Sequence, residues 1–482
     1  MTIRKKTKKI HKGIKASAAF FAANILVKGI AYLSTPVYTH LLNPYEYGYV
    51  SVFFTWVQIF GIVAMFCLAY EVFNNGMLDY PDKRDEYSFS MLILSNIITL
   101  CFSAVIILAY PHIKNIIGLE LPFIVLMCVF FLTQPAYNFW IARQRYEYKY
   151  KTTVFWTVTS VILTTAVSIA AIMLTKGSKL YARIFGSELT FIIIYAGFYI
   201  YLAYKSKFRI NTKYWKEAFL FNLPLIPHYL SSYMLNSSDK IMISRLAGES
   251  ATAYYSVAYS IAAIAMIIWY AINPSLVPYT YEKCRENDYA SISKVTMPIL
   301  AIFAFLGIGV TLLAPEAVYF ISTKDYMEAI YIIPPVVGSV FFQVQYSIYA
   351  NIVYYYKKPT YVMVASVTAT VLNILLNYIF IKKFGYIAAG FTTLVCYGIQ
   401  AVIDFFAMRK ITGENVYNMR YIILLSAFVV AFSLFGGIIY KFTILRYIIL
   451  MALVILSVIF RKKIFETLKF SERTNPNESI DT

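Results

Sequence analysis

The chain alternates between long apolar runs and short polar segments. Runs of about 20 residues, the length that crosses the hydrocarbon core of a bilayer, recur along the whole sequence. Their estimated ranges are 17–41, 48–72, 88–110, 121–142, 153–175, 182–204, 217–238, 250–272, 293–314, 328–353, 361–381, 387–408, 420–440 and 443–460. Since lipid offers no partner for an unpaired backbone N–H or C=O, such runs are expected to be helical. The pattern predicts an all-α integral membrane protein with about 14 transmembrane helices.

The composition agrees with this prediction. Of the 482 residues, 60% are hydrophobic and 14% are charged, whereas a soluble domain usually has about 25% charged residues. The longest polar segments are the basic residues 1–16, two loops near 73–87 and 273–292, and the tail 461–482. These segments are too short to hold an ATPase domain or a large extracellular domain.

The net charge of +19 indicates membrane topology rather than nucleic-acid binding. With the N-terminus on the inner side, the predicted inner segments contain 31 lysines and arginines and the outer segments contain 11. Lysine and arginine accumulate in cytoplasmic loops of membrane proteins. The counts therefore predict an even number of helices with both ends in the cytoplasm, and we expect no nucleic-acid partner.

Sequence motifs for catalysis, metals and cofactors are missing. The five cysteines show no CxxC or Cys/His spacing, and the four histidines do not cluster. The chain has no GxxxxGK[ST], HExxH or GxSxG motif, and these are the sequences that mark P-loop, zinc-protease and hydrolase sites. We expect no enzyme activity, no metal and no cofactor.

A weak internal repeat divides the predicted helices. Residues 41–52, which follow the first helix, share Leu, Tyr, Ser and Val positions with residues 246–257, which follow the seventh. An even number of helices separates the copies, so they have the same orientation, as in transporters built from parallel repeats. The predicted parts are the N-terminus 1–16, an N-lobe 17–208, a C-lobe 209–410, helices 13 and 14 in 411–460, and the tail 461–482. Chance similarity of apolar segments is the alternative.

Two predicted helices carry polar residues at helical spacing. These residues are Asn24, Lys28, Tyr32, Thr35 and Thr39 on the first helix and His228, Ser232, Asn236 and Asp239 on the seventh. Glu188 and Asp404 are further acidic residues within apolar runs. Charged groups in hydrocarbon usually line a transport pathway, but hydrogen bonding between helices is an alternative. Asp404 lies near a helix end, where a solvated position is equally compatible with the sequence.

The segment after the first helix resembles a known family. Leu41-Leu42-Asn43-Pro44-Tyr45-Glu46-Tyr47-Gly48 is similar to the opening of bacterial polysaccharide flippases of the O-antigen and capsule type. Residues 142–145 and 238–240 are also similar to segments of that family. These flippases belong to the multidrug/oligosaccharidyl-lipid/polysaccharide exporter superfamily.

The resemblance implies a fold and a function. It implies two six-helix lobes plus two C-terminal helices, and alternating access that carries an oligosaccharide linked to undecaprenyl pyrophosphate from the inner to the outer leaflet of the bacterial cell membrane. The expected partners are this substrate, membrane lipid and other polysaccharide-assembly proteins.

Such a substrate needs cations for its pyrophosphate and polar groups for its sugars. Lys28, Lys240 and Arg245 are the candidates for the anion. Asn24, Thr35, Ser232 and Asn236 are the candidates for sugar hydroxyls, and Asp239, Glu188, Asp404 and His228 for ion coupling or gating.

Other interpretations stay open at this stage. An ion-coupled multidrug antiporter has the same architecture, although its cavity would favour carboxylates over a lysine in the middle of a helix. A membrane polymerase or ligase of lipid-linked glycans would need a longer external loop, and a scaffold would not need charges in the membrane. Arg143 and Arg145 fit either topology anchors or phosphate ligands at the inner mouth.

Overall fold

The computed structural model describes residues 2–147 and 149–459; the side chains of residues 2–18, 21, 71, 224, 228 and 232 are outside this description. Within the described ranges the chain forms helices and no strands. The helices are α1 Thr2–Leu41, α2 Pro44–Ala64, α3 Glu71–Asp79, α4 Arg84–Ile117, α5 Leu121–Tyr146, α6 Tyr150–Leu174, α7 Lys179–Lys205, α8 Lys213–Asn222, α9 Ile226–Ala247, α10 Glu249–Arg285, α11 Tyr289–Leu312, α12 Ala314–Ile321, α13 Ile333–Tyr355, α14 Pro359–Phe384, α15 Ala388–Thr412, α16 Met419–Phe435 and α17 Thr443–Ile459. Short 3-10 helices join some of them, at Leu223–Leu225, Lys324–Tyr331 and Gly436–Lys441.

Each of the predicted apolar runs corresponds to a helix. Among the described residues, 11 helices are both long enough and apolar enough to cross a membrane. The remaining three predicted runs correspond to α1, to the more polar α9, and to α17, which has 17 residues. The chain is therefore a multi-pass, all-α integral membrane protein, and the predicted fold class is confirmed.

Several predicted helix limits are wrong, and three of these differences have an identifiable local cause. The second helix was expected to reach residue 72, but α2 ends at Ala64 because Phe66 and Cys67 adopt left-handed backbone angles, with φ of 57° and 49°. The chain then forms the separate short helix α3. Because the residues of this turn are as apolar as their neighbours, hydrophobic periodicity gave no signal for it.

The other two limits depend on proline. The predicted run 217–238 is divided between α8 and α9 at Leu223–Leu225, where Pro224 has no amide hydrogen to continue the ladder. Conversely, α10 continues to Arg285 through Pro274 and Pro278, whereas the sequence predicted a loop from residue 273. An internal proline can thus be accommodated within a helix, and it did not end α10.

The family-like segment forms the start of α2. Asn43 is the N-cap, and its Oδ1 accepts a hydrogen bond from the Glu46 amide at 2.9 Å. The Glu46 carboxylate accepts one from the Asn43 amide at 3.0 Å, which completes a capping box. Pro44 occupies the first turn, where its fixed φ suits a helix and no amide hydrogen is required.

The chain divides into two compact units, Met1–Ser237 and Ser238–Thr482. In the first unit, α5 packs against α4 and α7, and α6 packs against α7 and α1. In the second unit, α13 is the central helix and packs against α10, α11, α15 and α16. The lobe limits at 208 and 209 and the internal repeat stay predictions, and the predicted tail lies outside the described residues.

An ion pair connects α17, the last described helix, to α12 within the second unit. Arg446 of α17 is 4% exposed and binds the Glu316 carboxylate with two nitrogens, one of them at 2.7 Å. The same guanidinium donates to the Leu312 carbonyl at 3.0 Å. Burial raises the pKa of Glu316, but the hydrogen bonds from Arg446 and Tyr447 outweigh burial and lower this pKa below its ordinary value.

Candidate functional site

The first unit contains a cavity of about 310 Å³ between α2, α4 and α5. Its wall also includes the turn 65–70 and Tyr233 of α9. The polar and aromatic side chains in the wall are Gln58, Tyr70, Ser95, Gln134, Asn138, Arg145 and Tyr233. This volume lies at the lower end of the range of about 300–1,000 Å³ for small-molecule sites.

One face of α5 supplies the main polar groups of this cavity. Gln134, Asn138 and Arg145 are four and then seven residues apart, so they lie on the same side of the helix. Gln58 of α2 is a further lining amide. The Oε1 atom of Gln134 is buried and has no hydrogen-bond partner among the described residues. Carboxamides both donate and accept, so this face is suited to binding a hydroxyl-rich ligand.

The two arginines at the end of α5 have different environments. Arg143 pairs with Asp85 of α4, and its Nε lies 2.9 Å from a carboxylate oxygen of Glu147. Lys149 also pairs with Glu147. Although burial raises the pKa of Glu147, its hydrogen bonds from Lys149 and Arg143 lower this pKa below the ordinary value. Arg143 is therefore part of an ion-pair network that joins α4 to the end of α5.

Arg145 instead lines the cavity. Its side chain is exposed, and its guanidinium lies 5.7 Å from the centroid of the Phe20 ring. A guanidinium presents several donors in a planar fork that matches phosphate oxygens. Of the two arginines that sequence left undecided, the structure assigns Arg143 to an ion-pair network and Arg145 to the cavity wall.

The second unit contains a buried carboxylate, Asp239 of α9, which is 1% exposed. One oxygen accepts a hydrogen bond from Asn377 of α14 at 2.6 Å. The other accepts bonds from Tyr255 of α10 and from Thr393 of α15, the latter at 2.7 Å. Hydrogen bonds from several donors stabilise a carboxylate charge in an apolar interior. Asp239 therefore joins four helices of this unit.

Further polar residues extend the Asp239 cluster. Asn377 donates to Asn373 at 3.1 Å, and Ser238 also donates to Asn373, at 3.3 Å. Thr392 donates to the amide oxygen of Asn377. The cluster thus consists of oxygen and amide ligands, which suits a proton or a hard cation rather than a soft metal.

The other predicted residues of α9 are on or near the surface. Lys240 is half-buried, with its ammonium 5.8 Å from the centroid of the Tyr259 ring. Arg245 is exposed and lies 2.7 Å from a carboxylate oxygen of Glu249. Asn236 is also exposed. The side chains of His228 and Ser232 lie outside the described residues.

The polar stripe of α1 turns from surface to interior along the helix. Asn24 is exposed, Lys28 is half-buried, and Thr35 and Thr39 are buried. The Thr35 hydroxyl donates to the Ala31 carbonyl at 3.2 Å, and the Thr39 hydroxyl donates to the Thr35 carbonyl at 3.1 Å. Among the described residues, α1 does not contribute to the wall of the 310 Å³ cavity. The two threonine hydroxyls are therefore used within their own helix.

Glu188 lies in the interior of the first unit near an arginine that the sequence analysis did not select. Glu188 is 1% exposed, and its Oε2 has no hydrogen-bond partner among the described residues. The charge of Arg183, one turn earlier on α7, acts on it. The Arg183 guanidinium lies 4.0 Å from the Tyr38 ring centroid and donates to Ser168 at 3.1 Å.

Asp404 of α15 is completely buried, with 0% exposure. The solvated position that its place in the sequence allowed is not the one the structure shows. Sequence analysis missed Gln134 and Asn138, although their spacing with Arg145 repeats the pattern that identified the stripes of α1 and α9. Uncharged amides in an apolar run are a weaker indication of a functional site than charged residues.

Comparisons with known proteins add to this geometry. A family model described as "Polysaccharide biosynthesis protein" matches residues 14–283, more than half of the chain. The "Probable low-salt glycan biosynthesis flippase Agl15" of Haloferax volcanii is 22% identical over 81% of this chain and 82% of its own length. A protein of the Lsg locus of Haemophilus influenzae is 23% identical over 38% of this chain, and the match spans only 47% of that relative.

Two solved structures share the fold. The lipid II flippase MurJ, in an inward closed conformation, superposes with a TM-score of 0.66 at 15% identity over 94% of this chain and 100% of that one. An inward-facing multidrug resistance MATE family transporter of the MOP superfamily has a TM-score of 0.60 at 15% identity, covering 82% of this chain and 98% of its own. The first of these two proteins is described as a flippase and the second as a transporter. The chain therefore belongs to the polysaccharide biosynthesis protein family and has the fold of the MOP superfamily, as residues 41–48 indicated.

Proposed function

We propose that this protein is a flippase that moves undecaprenyl-pyrophosphate-linked oligosaccharide repeat units from the inner to the outer leaflet of the bacterial cell membrane. The step serves the synthesis of a surface polysaccharide such as O-antigen or capsule. Membership of the family and the fold of the lipid II flippase support a lipid-linked glycan as the cargo. The excess of lysine and arginine in the predicted inner segments supports cytoplasmic ends.

The cavity of the first unit is the observation that carries this proposal. It combines amides from two helices with one guanidinium and exposed tyrosine rings. Amides bind sugar hydroxyls, a guanidinium binds phosphate, and aromatic faces pack on sugar rings. In this proposal the cavity accommodates part of the head group, and the lipid tail remains in the membrane.

Arg145 is the first candidate for the pyrophosphate within this cavity. Lys28 of α1 and Lys240 and Arg245 of α9 remain candidates from the sequence, together with Asn24, Thr35 and Asn236 for the sugars. In this conformation Arg245 is paired with Glu249, so that pair has to open before Arg245 can bind an anion.

Asp239 and Glu188 are proposed as coupling or gating groups. Asp239 links α9 to α10, α14 and α15 through its three hydrogen-bond donors. A change in the charge of this one carboxylate would weaken contacts to three helices at once. An ion-coupled cycle of alternating access needs such a group, because a bound ion can then bias the equilibrium between conformations.

The experiment is complementation of a strain that lacks the gene. We expect the deletion to remove surface polysaccharide and to leave lipid-linked repeat units on the inner leaflet. Arg145→Ala should lower export roughly 10- to 100-fold, because a charge-assisted hydrogen bond contributes about 1.5–3 kcal/mol. Arg409→Ala, which removes an exposed arginine at the end of α15, is the matched control. Surface polysaccharide at the normal level in the deletion strain, with no redundant transporter, would refute the proposal.

The similarity to a MATE transporter supports a multidrug antiporter as the second candidate. Efflux of a fluorescent cationic dye from vesicles, unaffected by Arg145→Ala or Lys28→Ala, would favour this function. Dye efflux is expected to be absent if the cavity binds an anionic lipid-linked glycan, because Arg145 would repel a cation.

A further inference from the structure

One face of α15 carries a buried polar series that the proposed cargo site does not use. Thr393, Tyr397, Gln400 and Asp404 are separated by four, three and four residues, so they follow one side of the helix. Thr393 donates to Asp239, and the Gln400 amide donates to Ser366 of α14 at 3.1 Å. The series runs through the second unit over roughly 16 Å of helix.

Asp404 stands at one end of this series with no hydrogen-bond donor. Both of its carboxyl oxygens are buried and lack a partner among the described residues. Tyr346 and Tyr354 of α13 lie within electrostatic range of this carboxyl group. On α14, the other helix packed against α15, Tyr361 faces Lys410 instead, with 5.6 Å between the ammonium and the ring centroid. Within the described part of the chain, no lysine or arginine compensates Asp404.

The same interface has hydrogen-bond acceptors in excess. The Oε1 atoms of Gln345 and Gln400 are buried without a donor among the described residues. Gln345 of α13 donates to Tyr349 at 3.0 Å, and the Tyr349 ring packs on Phe405, next to Asp404. An ionised carboxylate adds two more acceptors to a region that already lacks donors. A proton on Asp404 supplies the missing donor and removes a buried charge that would be costly.

Asp239 provides an internal comparison. It is as deeply buried as Asp404, with 1% against 0% exposure, but it accepts three hydrogen bonds from neutral side chains. Donors of this kind stabilise the ionised form, whereas their absence favours the neutral acid. The two carboxyl groups of the same unit therefore differ in their hydrogen bonding, since Asp239 has three donors and Asp404 has none among the described residues.

We infer that Asp404 is an exchangeable proton-binding site, and that this conformation holds its proton occluded. Water on one side of the membrane delivers the proton to the carboxylate, and the neutral acid releases it to water on the other side after the interface of α13 and α15 opens. No bond other than O–H forms or breaks. The link between this proton and glycan export rests on the flippase function proposed above, but the proton site itself does not.

The first test measures the proton without any cargo. The purified full-length chain is placed in liposomes, and infrared spectra at neutral pH record the carboxyl groups that remain protonated. Asp404→Asn should remove one carboxyl band, and Asp404→Glu should shift it. Asp325→Asn, a matched change at an exposed residue, should leave the spectrum intact. An unchanged spectrum in both Asp404 variants would overturn the inference, and Asp404→Glu keeps the test valid if the asparagine variant does not fold.

The second test measures export in cells. Asp404→Asn should reduce surface polysaccharide at least tenfold at wild-type protein levels, and Asp325→Asn should not. If Asp404→Asn exports normally and a protonophore still inhibits it, the role of this proton in transport is refuted while the flippase function stands. If the wild-type gene is dispensable for surface polysaccharide, the flippase function fails and the infrared result decides the proton site alone.

Discussion

Replacement of Asp239 tests whether its network depends on hydrogen-bond acceptors or on the negative charge. In Asp239→Ala, three donors lose their acceptor. Asn377 still has Asn373 at 3.1 Å, and the Thr393 hydroxyl can turn to a carbonyl of its own helix, as Thr35 and Thr39 do. Tyr255, which is 1% exposed, is left with the Thr393 hydroxyl, a weaker acceptor than a carboxylate.

The magnitudes follow from this difference. Loss of the charged acceptor of the Tyr255 hydroxyl costs about 1.5–3 kcal/mol, and two weakened bonds add about 1 kcal/mol, so Asp239→Ala should lose roughly 2–4 kcal/mol of stability. Asp239→Asn keeps an oxygen for Asn377, and its amide can donate to the hydroxyls of Tyr255 and Thr393. Since it also removes a buried charge, the asparagine variant should lose less than about 1 kcal/mol.

The assay is thermal or denaturant unfolding in detergent, with the folded fraction read by fluorescence-detected size exclusion. A gap of about 2 kcal/mol corresponds to roughly a 30-fold difference in the folded-to-unfolded ratio. If the asparagine variant is as unstable as the alanine variant, the hydrogen-bond argument is refuted. If asparagine is stable but inactive in export, the charge of Asp239 is needed for transport rather than for folding.

Three further predictions concern packing, attachment and pH. Gly338→Ala should cost about 1–3 kcal/mol of stability, because the added Cβ would lie 2.2 Å from the Ser433 hydroxyl of α16. Proteolysis near α16 should increase. A small loss of stability would contradict the close contact. Arg446→Ala should cost about 2 kcal/mol, since Glu316 loses its partner but is partly solvated; crosslinking of α17 to α12 through introduced cysteines should fall, and unchanged yield would argue against the ion pair. Because the pKa of Glu147 is lowered in the folded protein, this residue stabilises the fold above its unfolded pKa of about 4.3, and the stabilisation is lost as pH falls through the lowered pKa. The unfolding midpoint should therefore drop less between pH 7 and pH 3 in Glu147→Gln than in the wild type. An equal drop in both proteins would refute this contribution.

Much of the fold was predictable because the bilayer imposes strong rules on sequence. Apolar runs identified all 11 helices of the described residues that are long and apolar enough to cross a membrane. The turn at Phe66 and Cys67 was not predictable, since its residues are apolar and its left-handed angles depend on tertiary packing. In contrast, the division at Leu223–Leu225 had a visible signal in Pro224, which lacks the amide hydrogen that continues a helix.

The candidate site was predictable only in part. Asp239 was selected as a polar residue within a helix, and its coupling role stays a prediction. Its partners Asn377 and Thr393 lie more than 130 residues away in sequence. Periodicity on one helix cannot identify such contacts. The Gln134, Asn138 and Arg145 face was accessible to the same spacing rule, although Arg145 alone resembled an ordinary charged residue at a helix end.

The capping box at Asn43 and Glu46 has a consequence for how relatives should be compared. The family-like segment around it is explained by the start of a helix, and its polar groups are satisfied by each other's backbone. Sequence similarity in this segment therefore indicates a shared helix start and carries no information about the cargo. Information about cargo should reside instead in the cavity positions Gln58, Gln134 and Asn138. A classification of these exporters by the glycan they carry should therefore compare the residues at these three positions and give less weight to the segment around Asn43 and Glu46.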